Sequence, residues 1–238
     1  MSLFPRFARD CSRDTERSER AVSTLSMPKN LEKKFRCLSR AEYSILIGAR
    51  HKGPLGHTNV LTKEQIRNRI LLRLKTQKEE ERERKSTIIK EKLFRSSIFK
   101  KAKRVMFYLS FDGEVNTKEM IKEAQNLGKI IAVPVCKTKR MMLPCVLDRK
   151  AKLKKGLYGI YQPAIERLIN LKDLDLVIVP GVAFDKRGNR LGRGKGYYDC
   201  LLNRIPKAPS IGLAFDFQIL PTLPATAKDV SVSRTIFA

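Results

Sequence analysis

Apolar residues at helical spacing indicate two helices in the segment that precedes residue 100. Thr62 is placed to cap the first helix, because its hydroxyl can accept a hydrogen bond from a backbone N–H of the opening turn. The apolar face of this helix comprises Ile66, Ile70, Leu71 and Leu74. The charged stretch 78–85 leads into a second helix, whose apolar face comprises Ile88, Ile89, Leu93 and Phe94. We therefore predict a helix, a turn and a second helix over residues 62–99.

Beyond residue 100 the pattern changes to short, continuous apolar runs that alternate with helical segments. The runs typical of buried strands are 104–110, 129–135, 174–180 and 210–215, with 141–147 as an added strand. Helices are predicted over 117–127, where Gly128 ends the helix, and over 197–205. Continuous apolar strands that alternate with helices are typical of a largely parallel sheet covered on both faces. The expected fold class is α/β, a three-layer α/β/α arrangement preceded by basic helices.

The composition is strongly basic. The chain has 238 residues, of which 42% are hydrophobic, enough for one α/β domain and an extension. Lysine and arginine total 50 against 24 aspartates and glutamates, which gives a formal net charge of +26. This surplus attracts phosphate-bearing ligands, nucleic acids or anionic membranes, and charge alone does not choose among them. The longest apolar runs are far shorter than the roughly 20 residues of a spanning helix, so we expect no membrane partner.

The first 60 residues differ from the rest, being rich in Arg and Ser and interrupted by Pro and Gly. We predict that residues 1–60 form a basic, poorly ordered extension and that residues 61–238 form one folded domain. An Arg- and Ser-rich start is also typical of import peptides, although the four acidic residues within 10–19 are unusual in one. The five dispersed cysteines contain no CxxC pair and favour a reducing compartment. We expect a cytoplasmic protein, with a mitochondrial location as the alternative.

The segment from Pro180 to Asp199, PGVAFDKRGNRLGRGKGYYD, carries the candidate chemistry. It lies between a predicted strand and a predicted helix, where open α/β sheets bind ligands. Glycines lack a Cβ and let the backbone approach a ligand with its N–H groups pointing inward, and the segment has them at Gly188, Gly192, Gly194 and Gly196. Arg190, Arg193 and Lys195 add positive charge that suits the oxygens of a polyphosphate.

Other residues of this segment have two possible roles each. Asp199 can bind Mg²⁺ that bridges phosphates, or serve as an acidic residue in the first turn of a helix. Asp185 is a weaker candidate for the metal, because an Asp followed by Lys, Arg and Gly is typical of a turn. Tyr197 and Tyr198 can stack on a flat ligand or pack in the core, and we expect one of each. The spacing matches neither a Walker loop nor a dinucleotide-binding fingerprint.

Taken whole, the segment resembles the signature of the 5-formyltetrahydrofolate cyclo-ligase family, also called methenyltetrahydrofolate synthetases, and the resemblance covers roughly residues 62–235. It implies a fold similar to those of sugar-phosphate isomerases and CoA-transferases, with residues 61–238 as the catalytic domain. It also implies that ATP phosphorylates the formyl oxygen of 5-formyltetrahydrofolate, that N10 attacks the activated carbon, and that 5,10-methenyltetrahydrofolate, ADP and phosphate form. Mg²⁺ would be the cofactor and ATP the co-substrate of an enzyme that we expect to be a monomer.

The resemblance also assigns residues to roles. The ATP-binding residues would be Lys63, Arg67, Arg190, Leu191, Gly192, Arg193, Gly194, Lys195, Gly196, Tyr197 and Tyr198. The folate-binding residues would be Arg67, Leu109, Glu114, Tyr158, Arg193, Gly194, Lys195, Gly196 and Tyr197. Arg190, Arg193 and Lys195 would stabilise charge during phosphoryl transfer. Asp199 and Asp229 would be the metal ligands.

This sequence departs from the family pattern at three positions. Tyr158 stands where the family often has Trp against the folate, which preserves stacking. Ser233 replaces the second of two acids spaced four apart, of which Asp229 is the first. Lys228 stands where the family often has His. The last two changes concern the expected metal environment.

Two other classes of function remain open from the residues alone. The net charge and the basic helices around residues 63–104 suit an RNA-binding or ribosome-associated protein, although we find no aromatic platform or GXXG loop typical of RNA-binding modules. Even for an enzyme, incidental nucleic-acid binding is compatible with this charge. A relative of sugar-phosphate isomerases or CoA-transferases would need a carboxylate for proton abstraction or acylation, whereas the arginine-rich loop favours a polyphosphate.

Overall fold

The computed structural model of the chain describes residues 61–138, 141–156 and 161–238. Its first part contains three helices: α1 (Lys63–Thr76), α2 (Glu79–Arg95) and the short α3 (Ser97–Lys101). Thr62 caps α1 as predicted, since its Oγ1 accepts from the backbone N of Gln65 at 3.2 Å and the Gln65 side chain accepts from the backbone N of Thr62 at 2.9 Å. The predicted pair of helices is confirmed. One difference is that Ser96 adopts an extended conformation and starts the separate helix α3.

The strands and the remaining helices follow, numbered in chain order. They are β1 (Arg104–Met106), α4 (Lys118–Asn126), β2 (Ile130–Cys136), β3 (Met142–Val146), β4 (Leu153–Lys155), β5 (Tyr161–Pro163), β6 (Leu176–Val179), β7 (Ala183–Asp185), β8 (Arg190–Leu191), α5 (Tyr197–Arg204), β9 (Ser210–Ala214), β10 (Ile219–Leu220) and β11 (Arg234–Phe237). Single-turn 3₁₀ helices precede β6 and β10.

The central sheet has six strands in the order β11-β9-β6-β1-β2-β3. Every neighbouring pair is parallel except β2 and β3, which are antiparallel. The predicted largely parallel sheet, with the run at 141–147 as an added strand, is therefore confirmed. Two further sheets are separate from the central sheet in their strand pairing: a three-stranded sheet in the order β10-β7-β8 and a two-stranded sheet, β4-β5.

Both faces of the central sheet are buried, because successive residues of a strand point to opposite faces. In β6, Ile178 packs in one apolar cluster with residues of α1, α2 and α4, whereas Val177 and Val179 pack in a second cluster with Leu201 and Leu202 of α5. Fully burying side chains of this size stabilises a fold by about 2 kcal/mol each. The three-layer arrangement that the sequence predicted is thus confirmed.

Several local features differ from the prediction. β1 is only three residues long, although the apolar run continues to residue 109: Phe107 still donates from its backbone N to the carbonyl oxygen of Ala132 in β2 at 2.8 Å, and the chain then turns toward the site. β11 and the small sheets were not predicted. The expected extension over residues 1–60 lies outside the described residues. Among the helices of the described residues, none is both long and apolar enough to cross a bilayer.

Candidate active site

Two loops meet at the carboxyl edge of the central sheet. β1 and β6 are adjacent parallel strands, and the chain proceeds from β1 to β2 on one side and from β6 to β9 on the other. Open α/β sheets bind ligands at such a reversal of strand order. The β1 loop, residues 107–117, follows the first strand, and the glycine loop, residues 180–196, follows the second. These loops, together with α1 and the first turn of α5, form the candidate site.

The glycine loop begins as a hairpin built around Asp185. The buried Asp185 carboxylate accepts hydrogen bonds from the backbone N–H groups of Arg187 and Asn189 at 2.9 and 3.0 Å. Gly188 completes the turn with a φ of +83°, and a Cβ at this position would lie 2.4 Å from the carbonyl oxygen of Val232. The turn predicted at Asp185 is confirmed, and its carboxylate holds the hairpin that presents the rest of the loop.

Gly192 lies between two guanidinium groups. Arg67 of α1 donates from Nε to the carbonyl oxygen of Gly192 at 3.1 Å. A Cβ at Gly192 would lie 2.6 Å from Nη1 of Arg190, and one at Gly194 would lie 3.7 Å from the guanidinium of Arg67. Because glycine has no Cβ, one stretch of backbone approaches cations from α1 and from β8 together.

Arg190 lies inside the wall of the site. Its side chain is only 4% exposed, and its Cζ is 5.8 Å from the centre of the Tyr198 ring. Nη2 donates to Oδ1 of Asp199 at 2.8 Å, and the same oxygen accepts the backbone N–H of Val230 at 3.2 Å. Arg190 therefore fixes Asp199 at the start of α5 and links it to the segment that contains Asp229.

Asp229 is paired with the first residue of α1. Its Oδ2 accepts from Nζ of Lys63 at 2.5 Å and from the backbone N and the hydroxyl of Thr226 at 2.6 and 2.9 Å. Partial burial opposes ionisation of this carboxyl, but the hydrogen bonds from Lys63 and Thr226 outweigh it and lower its pKa. Lys63 and Asp229 thus form a charged pair that closes one side of the site.

Arg193 joins the two loops. Nε lies 3.3 Å from Oε1 of Glu114, and Nη1 donates to Oδ2 of Asp112 at 3.0 Å. The guanidinium also covers the ring of Phe111, with Cζ 4.3 Å from the ring centre. Asp112 has a φ of +52°, a backbone conformation that residues other than glycine seldom adopt. The turn places Asp112 beside Arg193 and so brings the β1 loop against the glycine loop.

Glu114 is the most strongly buried carboxylate of the β1 loop, with 8% of its surface exposed. Desolvation raises its pKa from 4.5 to about 7, against the opposing effects of the Arg193 charge and of a hydrogen bond from the backbone N of Phe111. Perturbed carboxyl groups of this kind are concentrated at functional sites. Near neutral pH this group can both accept and release a proton.

Three buried polar atoms of the site have no protein partner. They are Nε of Arg190, Nη2 of Arg193 and the hydroxyl oxygen of Tyr198, and they are the majority of the five such side-chain atoms within the described residues. Burial also raises the pKa of the Tyr198 hydroxyl, so this group is a neutral donor. Unsatisfied buried polar groups are uncommon in folded proteins, and their concentration here is typical of a ligand site.

The other predicted site residues have varied positions. Leu191 is buried, and Leu109 packs partly buried against the core. Gly194, Lys195 and Gly196 are exposed at the tip of the glycine loop. The hydroxyl of Tyr197 donates to the carbonyl oxygen of Thr138 at 2.9 Å. The remaining folate candidate, Tyr158, lies outside the described residues.

Sequence reasoning missed Phe111 and Asp112 as partners of Arg193. The sequence does contain an indication of this turn, because Asp-Gly after a strand is typical of a tight turn with positive φ. Such a turn fixes the direction of the neighbouring side chains. Ser233 connects two strands: its hydroxyl accepts from the backbone N of Ser210 at 3.0 Å and so ties the start of β9 to the residue before β11.

The donor chemistry of Asp199 and Asp229 fits Mg²⁺, which prefers carboxylate oxygens and is commonly held by one or two of them together with substrate phosphates. Each carboxylate is paired with a cation, Arg190 or Lys63, which positions it without a metal. No group of three His, Cys, Asp or Glu side chains suited to a metal occurs among the described residues. The residues present therefore fit an ion shared with phosphates rather than an all-protein cage.

The fold and the site define a class: an α/β protein with a cationic, glycine-rich wall at the switch point of its sheet. Comparison with known proteins narrows this class. The family model of 5-formyltetrahydrofolate cyclo-ligases matches residues 59–237, and the chain belongs to that family. Members of this family are ATP-dependent ligases that convert 5-formyltetrahydrofolate to 5,10-methenyltetrahydrofolate.

Individual relatives agree with the family model. The chain is 33% identical over 188 residues to 5-formyltetrahydrofolate cyclo-ligase of Mus musculus, covering 74% of this chain and 93% of that protein. Over 137 residues it is 36% identical to the enzyme of the same name from Haemophilus influenzae, covering 55% and 73%. The solved structure of Aquifex aeolicus 5,10-methenyltetrahydrofolate synthetase is similar with a TM-score of 0.68 and 34% identity, covering 74% of this chain and 90% of that one.

Proposed function

We propose that this chain cyclises 5-formyltetrahydrofolate to 5,10-methenyltetrahydrofolate with ATP, using the residues that line the two loops. The observation that carries the proposal is the contact of Arg193 with Glu114, which joins a cationic wall suited to phosphates to a carboxylate suited to a pterin. A reaction between two substrates needs both recognition surfaces in one cleft. Family membership supports the same activity.

The phosphate side comprises Lys63, Arg67, Arg193, Lys195 and the backbone of the glycine loop. Phosphoryl transfer needs little covalent chemistry from the protein, so these residues act by orienting the γ-phosphoryl group and stabilising charge. Lys195 is exposed at the loop tip, whereas the buried Arg190 acts by holding Asp199 in place. A bound polyphosphate replaces some carboxylate partners of these cations with phosphate oxygens.

The folate side centres on Glu114. An ionised carboxylate can accept two hydrogen bonds from the amino-pyrimidine edge of a pterin. The N–H donors of the pterin would replace hydrogen bonds from water that the carboxylate lost on burial. We therefore expect pterin binding to lower the pKa of Glu114 and favour its charged form. Arg193, released in part from Glu114, is then free to stabilise charge on the formyl phosphate that forms when the formyl oxygen attacks ATP.

Asp199 and Asp229 would hold Mg²⁺. When bound, the ion would neutralise charge on the phosphate oxygens of ATP. The protein contributes by fixing both carboxylates: Arg190 holds the first, and Lys63 with Thr226 holds the second.

The test is the near-ultraviolet absorbance of the methenyl product. We expect purified protein with Mg·ATP and 5-formyltetrahydrofolate to develop this absorbance, and Arg193→Ala to lower kcat/KM by at least about a hundredfold, the loss typical of a transition-state charge contact. Arg187→Ala is the matched control, because Arg187 is an exposed arginine of the same loop at its hairpin turn. Absence of ATP-dependent product from the wild-type protein would refute the proposal.

We further propose a monomeric cytoplasmic enzyme. In the described part of the chain Cys136, Cys145 and Cys200 are free thiols, which supports a reducing compartment. Light scattering during size-exclusion chromatography tests the monomer, and a molar mass of about 54 kDa would contradict it, since the chain has a mass of 27.2 kDa.

A further inference from the structure

The β1 loop does not hold its shape alone but is attached to α1 and α2. Gly113, at the tip of the loop, adopts a φ of +80° and approaches the end of α1 so closely that a Cβ would lie 2.1 Å from the carbonyl oxygen of Leu74. Only glycine allows this approach. The loop that carries Asp112 and Glu114 is therefore set against the helices before its side chains meet Arg193.

Gln77, at the end of α1, bridges the helix and the loop. Its Nε2 donates to the carbonyl oxygen of Gly113 at 2.7 Å and to that of Leu74 at 3.0 Å. One amide group thus satisfies a carbonyl at the helix end and a carbonyl of the adjacent loop residue. Gly113 directly precedes Glu114, so this contact fixes the backbone one residue from the buried carboxylate.

α2 holds the other side of the loop. The hydroxyl of Ser86, a buried residue, accepts the backbone N–H of Asn116 at 3.0 Å. The side-chain amide of Asn116 donates to both carboxylate oxygens of Glu83 at 2.9 and 3.1 Å. Glu114 therefore lies between two anchors, Gly113 on Gln77 and Asn116 on Ser86 and Glu83.

We propose that Gln77 and Ser86 are positioning residues for the folate half of the reaction, anchoring the β1 loop on both sides of Glu114. The inference rests on the proposed function and deepens it. Neither side chain acts on the substrate in this scheme. Both act through the loop backbone, which fixes the Glu114 carboxylate against Arg193.

The experiment uses Gln77→Met and Ser86→Ala in the full chain. Each removes hydrogen bonds to the loop with little change in volume, so KM and the dissociation constant for 5-formyltetrahydrofolate should rise about fivefold, the loss of one neutral hydrogen bond. KM for ATP should stay within about twofold of the wild-type value. Thr87→Ala is the matched control: the Thr87 hydroxyl is the next on α2 and donates to the carbonyl oxygen of Glu83 at 3.0 Å within the helix.

Folate binding is measured separately by calorimetry without ATP, and thermal unfolding midpoints are recorded for each variant. A rise in folate KM and dissociation constant in Gln77→Met or Ser86→Ala, with Thr87→Ala unchanged, supports the assignment. Unchanged folate constants in both variants, or equal rises for folate and ATP, overturn it. Failure of the wild-type protein to bind or convert the folate is a different result, because it overturns the proposed function and this assignment with it.

Discussion

Glu114→Gln tests whether burial in the β1 loop favours the protonated form of this carboxyl before any ligand binds. Burial raises the pKa of Glu114 from 4.5 to about 7 in the folded chain. At about 1.4 kcal/mol for each unit of pKa, this rise corresponds to about 3 kcal/mol. Domains of this size are stable by only about 5–15 kcal/mol, so the effect is a large share of the total.

The direction in which stability changes with pH follows from proton linkage. Between pH 4.5 and 7 the folded chain holds a proton on Glu114 that the unfolded chain has released. The stabilisation is complete below pH 4.5 and is lost as the pH rises through 7. Glutamine stays neutral throughout, so the free energy of unfolding of Glu114→Gln relative to wild type should increase by about 3 kcal/mol from pH 4.5 to 8.

Urea unfolding followed by circular dichroism at several pH values measures this difference, because urea leaves ionic strength unchanged. The matched control is Glu119→Gln: Glu119 is an exposed carboxylate of α4, and its hydrogen bond from Lys122 lowers its pKa rather than raising it, so the difference between this variant and wild type should not rise with pH. A difference between Glu114→Gln and wild type that varies by less than about 0.5 kcal/mol over that range, or that has the opposite slope, would refute a raised pKa at Glu114.

Three further substitutions address the phosphate side. Lys63→Met should raise KM for ATP about tenfold through loss of a charged phosphate contact, and initial rates that give an unchanged KM would remove Lys63 from the site. Asp229→Asn should raise the Mg²⁺ concentration for half-maximal rate by about tenfold, and an unchanged Mg²⁺ titration would exclude it as a ligand. Gly192→Ala should lower kcat/KM about a hundredfold, because the new methyl group would lie 2.6 Å from Nη1 of Arg190; full activity would show that the guanidinium can move aside at no cost.

The features that the sequence predicted best depend on interactions between residues that are close together along the chain. The Thr62 cap and the apolar face of α1 depend on residues three or four positions apart, and the turn at Asp185 depends on its immediate neighbours. The alternation of apolar runs with helical segments was sufficient to predict the three-layer arrangement. The position of the glycine loop at a strand end followed from the same pattern.

What the sequence did not predict depends on distant partners or weak patterns. Asp112 and Arg193 are 81 positions apart, and Gln77 and Gly113 are 36 apart, so no local spacing could pair them. β11 was missed because only Ile236 of its four residues is buried. The end of β1 was misplaced because residues 107 and 108 are as apolar and buried as a strand, although the residue pairs of β1 with β2 and β6 end at Met106.

The ion pair between Lys63 and Asp229 spans 166 positions, from the first residue of α1 to the segment before β11. During synthesis the ribosome must therefore add Asp229 before this side of the cleft can close. A growing chain that already contains the glycine loop still lacks both Asp229 and the neighbouring Val230 N–H that holds Asp199. The cleft can therefore be completed only after residues 229 and 230 have been added, and closing so long a loop has an entropic cost that the packed sheet must offset.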